Sequence, residues 1–282
     1  MNTDSKMATH TEGDQKRAVR ERYARAATTG PSCCGPSCCD DETAIDASDV
    51  SRSIGYSDEQ LAQLPQDANL GLGCGNPTAI AELHPGDTVL DLGSGAGIDC
   101  FLAAGQVGER GRVIGVDMTP EMIERARANA AGAGYTNVEF RLGEIEALPV
   151  ADDSVDVIIS NCVLNLSSRK DRVLAEAFRV LRPGGRMVVS DMVSDVPVPD
   201  ALAGNLDAVA ACLPTFRESY LKQFRDAGFT DVRITAETPY PSSHLLGDAG
   251  VRAFLAAHPD AAPDIERFAG SIAGAHFSAT KG

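Results

Sequence analysis

Residues 88–100 read TVLDLGSGAGIDC, and this stretch decides the fold. Its first five residues form a short apolar run typical of a strand buried on both faces. The glycines that follow permit a tight turn into a helix and let a ligand approach the backbone closely. Their spacing is G-x-G-x-G because position 98 is Ile98, so the loop lacks the third glycine of a dinucleotide-binding fingerprint.

Strands and helices alternate on the C-terminal side of this loop. The further apolar runs are Arg112–Met118, Val138–Glu144, Val155–Asn161 and Arg186–Met192. Helical periodicity between them predicts βαβ units and a mostly parallel sheet. Residues 193–215 are predicted to be irregular, and two late strands are expected at Val232–Thr238 and His276–Thr280.

Several predicted strand ends carry residues suited to one ligand. Asp117 can accept hydrogen bonds from ribose hydroxyls, and the neighbouring Met118 offers a polarizable surface for a purine. The glycine loop, with Asp91 before it, resembles the S-adenosylmethionine loop of class I methyltransferases, and an acid there suits a cationic sulfonium. The alternative is a plain turn flanked by ordinary loop acids. The expected cofactor-binding residues are Asp91, Gly93, Ser94, Gly95, Gly97, Asp117, Met118, Glu144 and Asn161.

A closer resemblance covers residues 50–230. The segments GLGCGNP at 71–77, VLDLGSGAGIDCFLAA, VIGVDMTPEMIERAR, VDVIISNCVLNLS and FRVLRPGGRMVVSD resemble the arsenite methyltransferases. The resemblance implies an α/β class I S-adenosylmethionine methyltransferase. Its Rossmann-like sheet would have about seven strands, one of them an antiparallel edge strand, with helices on both faces and a small C-terminal capping region. It also implies methyl transfer from S-adenosylmethionine to arsenite and methylarsenite.

The cysteines fit this chemistry. As(III) is a soft centre, and soft centres select thiolates, which are deprotonated thiols. By resemblance, the arsenic ligands are Cys74 in GLGCGNP, Cys162 after the fourth strand and Cys212 in the segment after the fifth. The alternative for each is a small buried apolar residue, and this is the interpretation we adopt for Cys100.

A second group of cysteines, Cys33, Cys34, Cys38 and Cys39, lies in CCGPSCC near the N-terminus. The family has an N-terminal cysteine that pairs with an active-site cysteine during turnover, and Cys33 or Cys34 is the expected equivalent. Such a disulfide would return two electrons to arsenic, and reduced thioredoxin or glutathione would recycle it. The alternative is a segment that only scavenges metal or delivers arsenite.

Charge and composition exclude some classes of protein. The formal net charge of −15 argues against nucleic acid as a partner, because phosphate binding needs basic patches. No apolar run is long enough for a membrane helix, and residues 1–17 lack an apolar signal-peptide core. We therefore expect a cytoplasmic protein without a membrane partner, whose thiols are reduced.

Three regions are expected along the chain. Residues 1–49 form a flexible cysteine-rich segment, 50–195 a domain that binds S-adenosylmethionine, and 196–282 a substrate-capping region that completes the sheet. Two other functions stay open from the sequence. One is an O- or C-methyltransferase that acts on a small carbon metabolite, and the other is a non-catalytic arsenite-binding protein.

Overall fold

The computed structural model describes residues 10–29, 46–203, 206–247 and 249–282 of the chain. Its strands are β1 (Thr88–Leu92), β2 (Arg112–Asp117), β3 (Val138–Leu142), β4 (Val155–Asn161), β5 (Leu181–Ser194), β6 (Thr215–Phe216), β7 (Phe229–Pro239) and β8 (Ile272–Lys281). Its α-helices are α1 (Glu12–Thr29), α2 (Ala47–Ser53), α3 (Asp58–Ala62), α4 (Ile98–Val107), α5 (Pro120–Ala133), α6 (Lys170–Val180), α7 (Asp200–Ala203), α8 (Leu206–Ala210), α9 (Arg217–Asp226), α10 (Ser242–Gly247), α11 (Ala249–Ala257) and α12 (Ala262–Ala269).

The strands of the described chain form one mixed sheet in the order β3-β2-β1-β4-β5-β8-β7, and the short β6 pairs with the end of β5. The pairs β1–β2, β1–β4, β2–β3 and β4–β5 are parallel, as the alternation of strands and helices predicts. The order reverses at β1, where β2 lies on one side and β4 on the other. This reversal opens a crevice at the carboxyl ends of β1 and β4.

The prediction that the antiparallel strand lies at the edge of the sheet is wrong. The antiparallel strand is β8, which pairs with β5 on one side and with β7 on the other. The strand at the edge is β7, which runs in the same direction as β5. Chain order does not reveal this arrangement, because β8 inserts between two strands that precede it.

Helices cover both faces of the sheet, as expected for this fold class. On β1, Leu90 and Leu92 point into one apolar core with residues of α6 and α9, while Val89 points into the other with residues of α4 and α5. Phe224 of α9 and Phe101 of α4 are among the largest buried side chains of these two cores. The central strands are therefore buried on both sides, as their continuous apolar runs indicate.

A third core lies beyond the sheet in the C-terminal part of the chain. Ile265 and Phe268 of α12 pack with Leu202 of α7, Val251 of α11 and Ile272 of β8. This small capping core stands next to the end of β5. The prediction that residues 193–215 are irregular is wrong, because β5 continues to Ser194 and is followed by α7 and α8.

The third strand is shorter than predicted. It ends at Leu142, and Glu144 lies in the turn after it. No helix among the described residues is long and apolar enough to cross a membrane.

Candidate functional site

The glycine loop is fixed by a carboxylate from the neighbouring strand. Asp117, the last residue of β2, accepts hydrogen bonds from the backbone N–H of Gly95 at 3.0 Å and of Thr119 at 2.8 Å. The side chain therefore ties the loop after β1 to the beginning of α5. Burial raises the pKa of Asp117, while these backbone donors oppose the rise.

A cavity lies over this loop. Its lining includes the loop residues 93–96 and Ile98, but not Gly97. The other lining residues on this side are Asp91, Asp117, Met118, Asn161, Ile145 and Glu146. Lys16, Val19 and Tyr23 of α1 also line it. The hydroxyl oxygen of Ser94 is buried here and has no hydrogen-bond partner among the described residues. A cavity that is mostly apolar with a few polar groups suits a small organic ligand such as a nucleoside.

Two acids are buried under the cavity floor. Asp91 and Asp99 are 3% and 2% exposed. Burial raises the pKa of Asp99 to about 6, although hydrogen bonds from Tyr56 and Asn161 oppose the rise. Burial, together with the charge of Asp99, also raises the pKa of Asp91 well above its usual range. Two buried carboxyls beside one cavity favour a cationic ligand there, because a nearby positive charge offsets their desolvation.

Asn161 connects the cavity to the GLGCGNP segment. Its side-chain amide donates to the carbonyl of Gly75 at 2.7 Å, and its oxygen accepts from the backbone N–H of Cys74 at 3.0 Å. A Cβ on Gly73 would stand 2.7 Å from this amide, so only glycine permits the close approach. The end of β4 thus holds Cys74 at the boundary of the cavity.

The three cysteines expected to bind arsenic meet at this boundary. Cys74 and Cys162 are joined as a disulfide, and the sulfur of Cys212 lies 3.4 Å from that of Cys162. Cys162 and Cys212 are buried, and both have positive φ angles, 61° and 67°. Non-glycine residues in this backbone region are uncommon and concentrate at functional sites.

Polar groups that the sequence analysis missed surround these sulfurs. Asp191 of β5 is fully buried, and its Oδ1 lies 3.8 Å from the sulfur of Cys212. Its Oδ2 accepts from the hydroxyl of Tyr220 at 2.9 Å and from the N–H of Asn165 at 3.2 Å. Burial raises the pKa of Asp191 to about 6, and hydrogen bonds and the charge of Lys170 oppose the rise.

The same groups act on the Cys212 thiol. Burial, followed by the charge of Asp191, raises its pKa well above the usual range, while Lys170 and Asn165 act in the opposite direction. Without a bound ligand, the thiol form is therefore favoured. No sequence motif marks Asp191, Tyr220 or Asn165 as special, because their role depends on burial and on contacts between distant segments.

The other expected site residues are placed as follows. Glu144 does not line the cavity; it forms ion pairs with Lys16 at 2.8 Å and Arg20 at 3.6 Å, both on α1. Cys100 is buried, as expected, and its thiol donates to Asp91 at 3.3 Å. The N-terminal cysteines Cys33, Cys34, Cys38 and Cys39 lie outside the described residues.

Comparison with known proteins identifies similar sequences and folds. A family model described as a methyltransferase domain matches residues 83–228. The chain is 49% identical to an arsenite methyltransferase of Halobacterium salinarum over 232 residues, which are 78% of this chain and 59% of that protein. It is 42% identical to an arsenite methyltransferase of Aquipseudomonas alcaligenes over 63% of this chain and 55% of that protein. The chain thus spans less than two thirds of the length of these curated relatives.

A solved structure with a similar fold comes from Chlamydomonas reinhardtii. It is an arsenic(III) S-adenosylmethionine methyltransferase, and it matches with a TM-score of 0.59 and 32% identity over 82% of this chain and 73% of that one.

Proposed function

Because this chain belongs to the methyltransferase-domain family, and within it to the arsenite methyltransferases, we propose that it methylates arsenite with S-adenosylmethionine as the methyl donor. Methylarsenite is the proposed substrate of a second round. The observation that carries this proposal is the convergence of Cys74, Cys162 and Cys212 at one end of the cavity. Three thiols from three distant segments are a suitable ligand set for As(III) and have no role in methyl transfer to carbon or oxygen.

The cavity fits S-adenosylmethionine. The buried acids below it suit the positive charges of the sulfonium and amino groups. When bound, the cofactor supplies an electrophilic methyl group to the arsenic lone pair. The proposed binding residues that line the cavity are Asp91, Gly93, Ser94, Gly95, Asp117, Met118 and Asn161. To these we add Ile145 and Glu146 in place of Glu144, since they line the cavity and Glu144 does not. Gly97 does not line it, and its proposed role is to let the loop turn against Phe101 and Phe140.

The chain's own contribution is ligand exchange and positioning. The disulfide between Cys74 and Cys162 must first be reduced by a dithiol, which is itself oxidised to a disulfide. Each of the three thiols then replaces one hydroxyl of arsenite, and its proton leaves with that hydroxyl as water. The resulting centre keeps its lone pair, so no general base is needed at arsenic. Asn161 contacts both the cavity and Cys74, and Cys162 follows it directly, so the nucleophile is held beside the cofactor end of the site.

The redox part of the cycle is also a proposal. Methyl transfer raises the formal oxidation state of arsenic by two. When two protein thiols form a disulfide, they would return these two electrons to arsenic. We propose that Cys33 or Cys34 forms this disulfide with a cysteine of the site, and that thioredoxin or glutathione reduces it. A reducing cytoplasm is the compartment in which this cycle would run. The proposed regions remain 1–49, 50–195 and 196–282.

The first experiment measures formation of S-adenosylhomocysteine with arsenite and a dithiol present, in wild type and Cys162→Ser. We expect turnover that depends on arsenite and falls by about 10²-fold or more in the variant, because one ligand is lost and the metalloid is misplaced. Calorimetric binding of S-adenosylhomocysteine to both proteins is the control for folding. Turnover without arsenite dependence would favour a carbon substrate, and arsenite binding without turnover would favour a binding protein.

A smaller effect is expected at the ion pairs that fasten α1 over the cavity. Lys16 contacts Glu144 at 2.8 Å and Glu146 at 3.5 Å, and its side chain is 20% exposed. Burial lowers the pKa of Lys16, but the two glutamates reverse this and raise it overall. Lys16→Met should weaken S-adenosylhomocysteine binding by about two- to fivefold, as expected for a partly exposed pair.

The matched control for Lys16→Met is Lys222→Met, which removes an exposed lysine paired with Asp226 on α9, away from the cavity. Calorimetry at low and high salt tests the prediction, since screening should reduce the effect at Lys16. Equal affinities for the two variants would show that the ion pairs of α1 do not support the cofactor site.

A further inference from the structure

One carboxylate oxygen of Asp191 faces the thiol cluster. The sulfurs of Cys74 and Cys162 and a carboxylate oxygen of Asp191 all lie within 4.8 Å of one another. The sulfur of Cys212 lies 3.8 Å from Asp191 Oδ1 and 3.4 Å from the sulfur of Cys162. Cys212 is not one of the three residues whose donor atoms all lie within 4.8 Å of one another, but its sulfur lies beside two of them.

Arsenic(III) bound by three thiolates keeps a lone pair, so a fourth, hard oxygen ligand is surplus to it. A tetrahedral zinc ion does use four such donors. With Zn–S near 2.3 Å and Zn–O near 2.1 Å, a regular tetrahedron places its sulfurs about 3.8 Å apart and each sulfur about 3.6 Å from the oxygen. The Cys212–Cys162 and Cys212–Asp191 separations of 3.4 Å and 3.8 Å differ from these values by less than about 0.5 Å. The sulfurs of Cys74 and Cys162 are joined as a disulfide, so they must be reduced and move apart before zinc can bind between them.

The carboxylate is also oriented as a metal ligand would be. Asp191 Oδ2 accepts from the Tyr220 hydroxyl and from the N–H of Asn165, while Oδ1 accepts from the N–H of Met192 and from the thiol of Cys212. Such outer hydrogen bonds fix the direction of a ligand oxygen. Lys170 faces both Asp191 and Cys212 and offsets part of the negative charge that four anionic donors would gather.

We propose that the reduced thiols of Cys74, Cys162 and Cys212, together with Asp191, bind a divalent thiophilic cation of the zinc class, and that this cation excludes arsenite. The disulfide between Cys74 and Cys162 must first be reduced. Binding then releases thiol protons to solvent, and no electrons are transferred. The competition with arsenite rests on the proposed function, whereas the cation site itself does not.

The test is equilibrium dialysis of Zn²⁺ against a chelator of known affinity, with a phosphine reductant and no cofactor. The full-length background carries serine at positions 33, 34, 38 and 39, which removes the other thiol group. We expect one zinc per chain, displaced by arsenite. Asp191→Asn should lower zinc affinity by about 10- to 100-fold and change arsenite affinity by less than about threefold.

Two further measurements complete the test. If Asp191→Asn does not fold, Tyr220→Phe serves instead, because it loosens the carboxylate without removing a ligand and should weaken zinc but not arsenite. X-ray absorption of the zinc-loaded background protein should show three sulfurs and one oxygen. Either of two results would overturn the proposal. One is a zinc affinity that is equal in wild type and in the Asp191 or Tyr220 variant, and the other is a zinc site with fewer than three sulfur ligands. Zinc binding without arsenite methylation would instead overturn only the proposed function.

Discussion

Replacing Cys212 by serine is expected to abolish arsenite-dependent methyl transfer while leaving the cofactor cavity intact. The sulfur of Cys212 lies 3.4 Å from that of Cys162, so it is in place to complete the ligand set. A serine hydroxyl is a hard donor and a poor ligand for As(III). We expect turnover to fall by about 10²-fold or more, because a metalloid held by fewer ligands is no longer aligned with the methyl donor.

Cofactor binding should not change in this variant. Cys212 does not line the cavity, and serine has nearly the same size and can occupy the same positive-φ backbone conformation as readily as cysteine. The dissociation constant of S-adenosylhomocysteine, measured by calorimetry, should therefore equal that of wild type. This pair of measurements separates loss of the substrate site from loss of the fold.

The matched control is Thr215→Val, a change in the same segment that keeps all three sulfurs. The hydroxyl of Thr215 donates to the side-chain oxygen of Asn165 at 2.6 Å, and its loss should lower kcat/KM by no more than about tenfold. A Cys212→Ser variant that turned over arsenite at more than a tenth of the wild-type rate would contradict the three-thiol site.

The proposed cofactor-binding residues rest largely on local features of the sequence. The glycine loop, Asp91 and Asp117 are local features, and a strand, a turn and a helix that follow one another in the chain need no long-range information. The prediction failed where a boundary mattered. Strand β3 ends two residues before Glu144, which turns Ile145 and Glu146 into the cavity instead.

The thiol half could be predicted only through a family resemblance. Nothing in the spacing of Cys74, Cys162 and Cys212 indicates that they meet, since their contact depends on β4, β5 and the segment after α8. Asp191 has no signal at all: in RMVVSDM it looks like any strand residue. Its burial and its hydrogen bond from Tyr220, 29 residues later, exist only in the folded chain.

Replacing Gly93 by alanine is expected to damage the fold and the cofactor site together. Gly93 has a φ of 69°, a conformation that costs an alanine about 1–2 kcal/mol. Its Cβ would also stand 2.3 Å from one methyl of Val163 and 2.8 Å from the other. Overpacking of this kind costs about 1–3 kcal/mol, so the free energy of unfolding should fall by about 2–5 kcal/mol.

The measurable results are a lower melting temperature and weaker cofactor binding. For a chain of this size, the loss of stability corresponds to a decrease in Tm of roughly 5–15 °C. Val163 lines the cavity and follows Cys162 directly, so its displacement should also weaken S-adenosylhomocysteine binding by about tenfold or more. The matched control is Gly86→Ala, whose φ is 98° and whose Cβ would meet no atom within 4 Å. It carries the backbone strain without the clash, and its cofactor affinity should remain that of wild type.

A double substitution tests whether the contact with Val163 is the cause. In Gly93→Ala combined with Val163→Ala, the methyl groups that clash are gone, so the overpacking cost should disappear while the backbone cost remains. The double variant should then be more stable than Gly93→Ala alone. If Val163→Ala instead adds its own destabilisation to that of Gly93→Ala, the two residues are not coupled. Backbone strain at the glycine loop would then account for the whole effect, and Val163 would not link the cofactor loop to the thiol site.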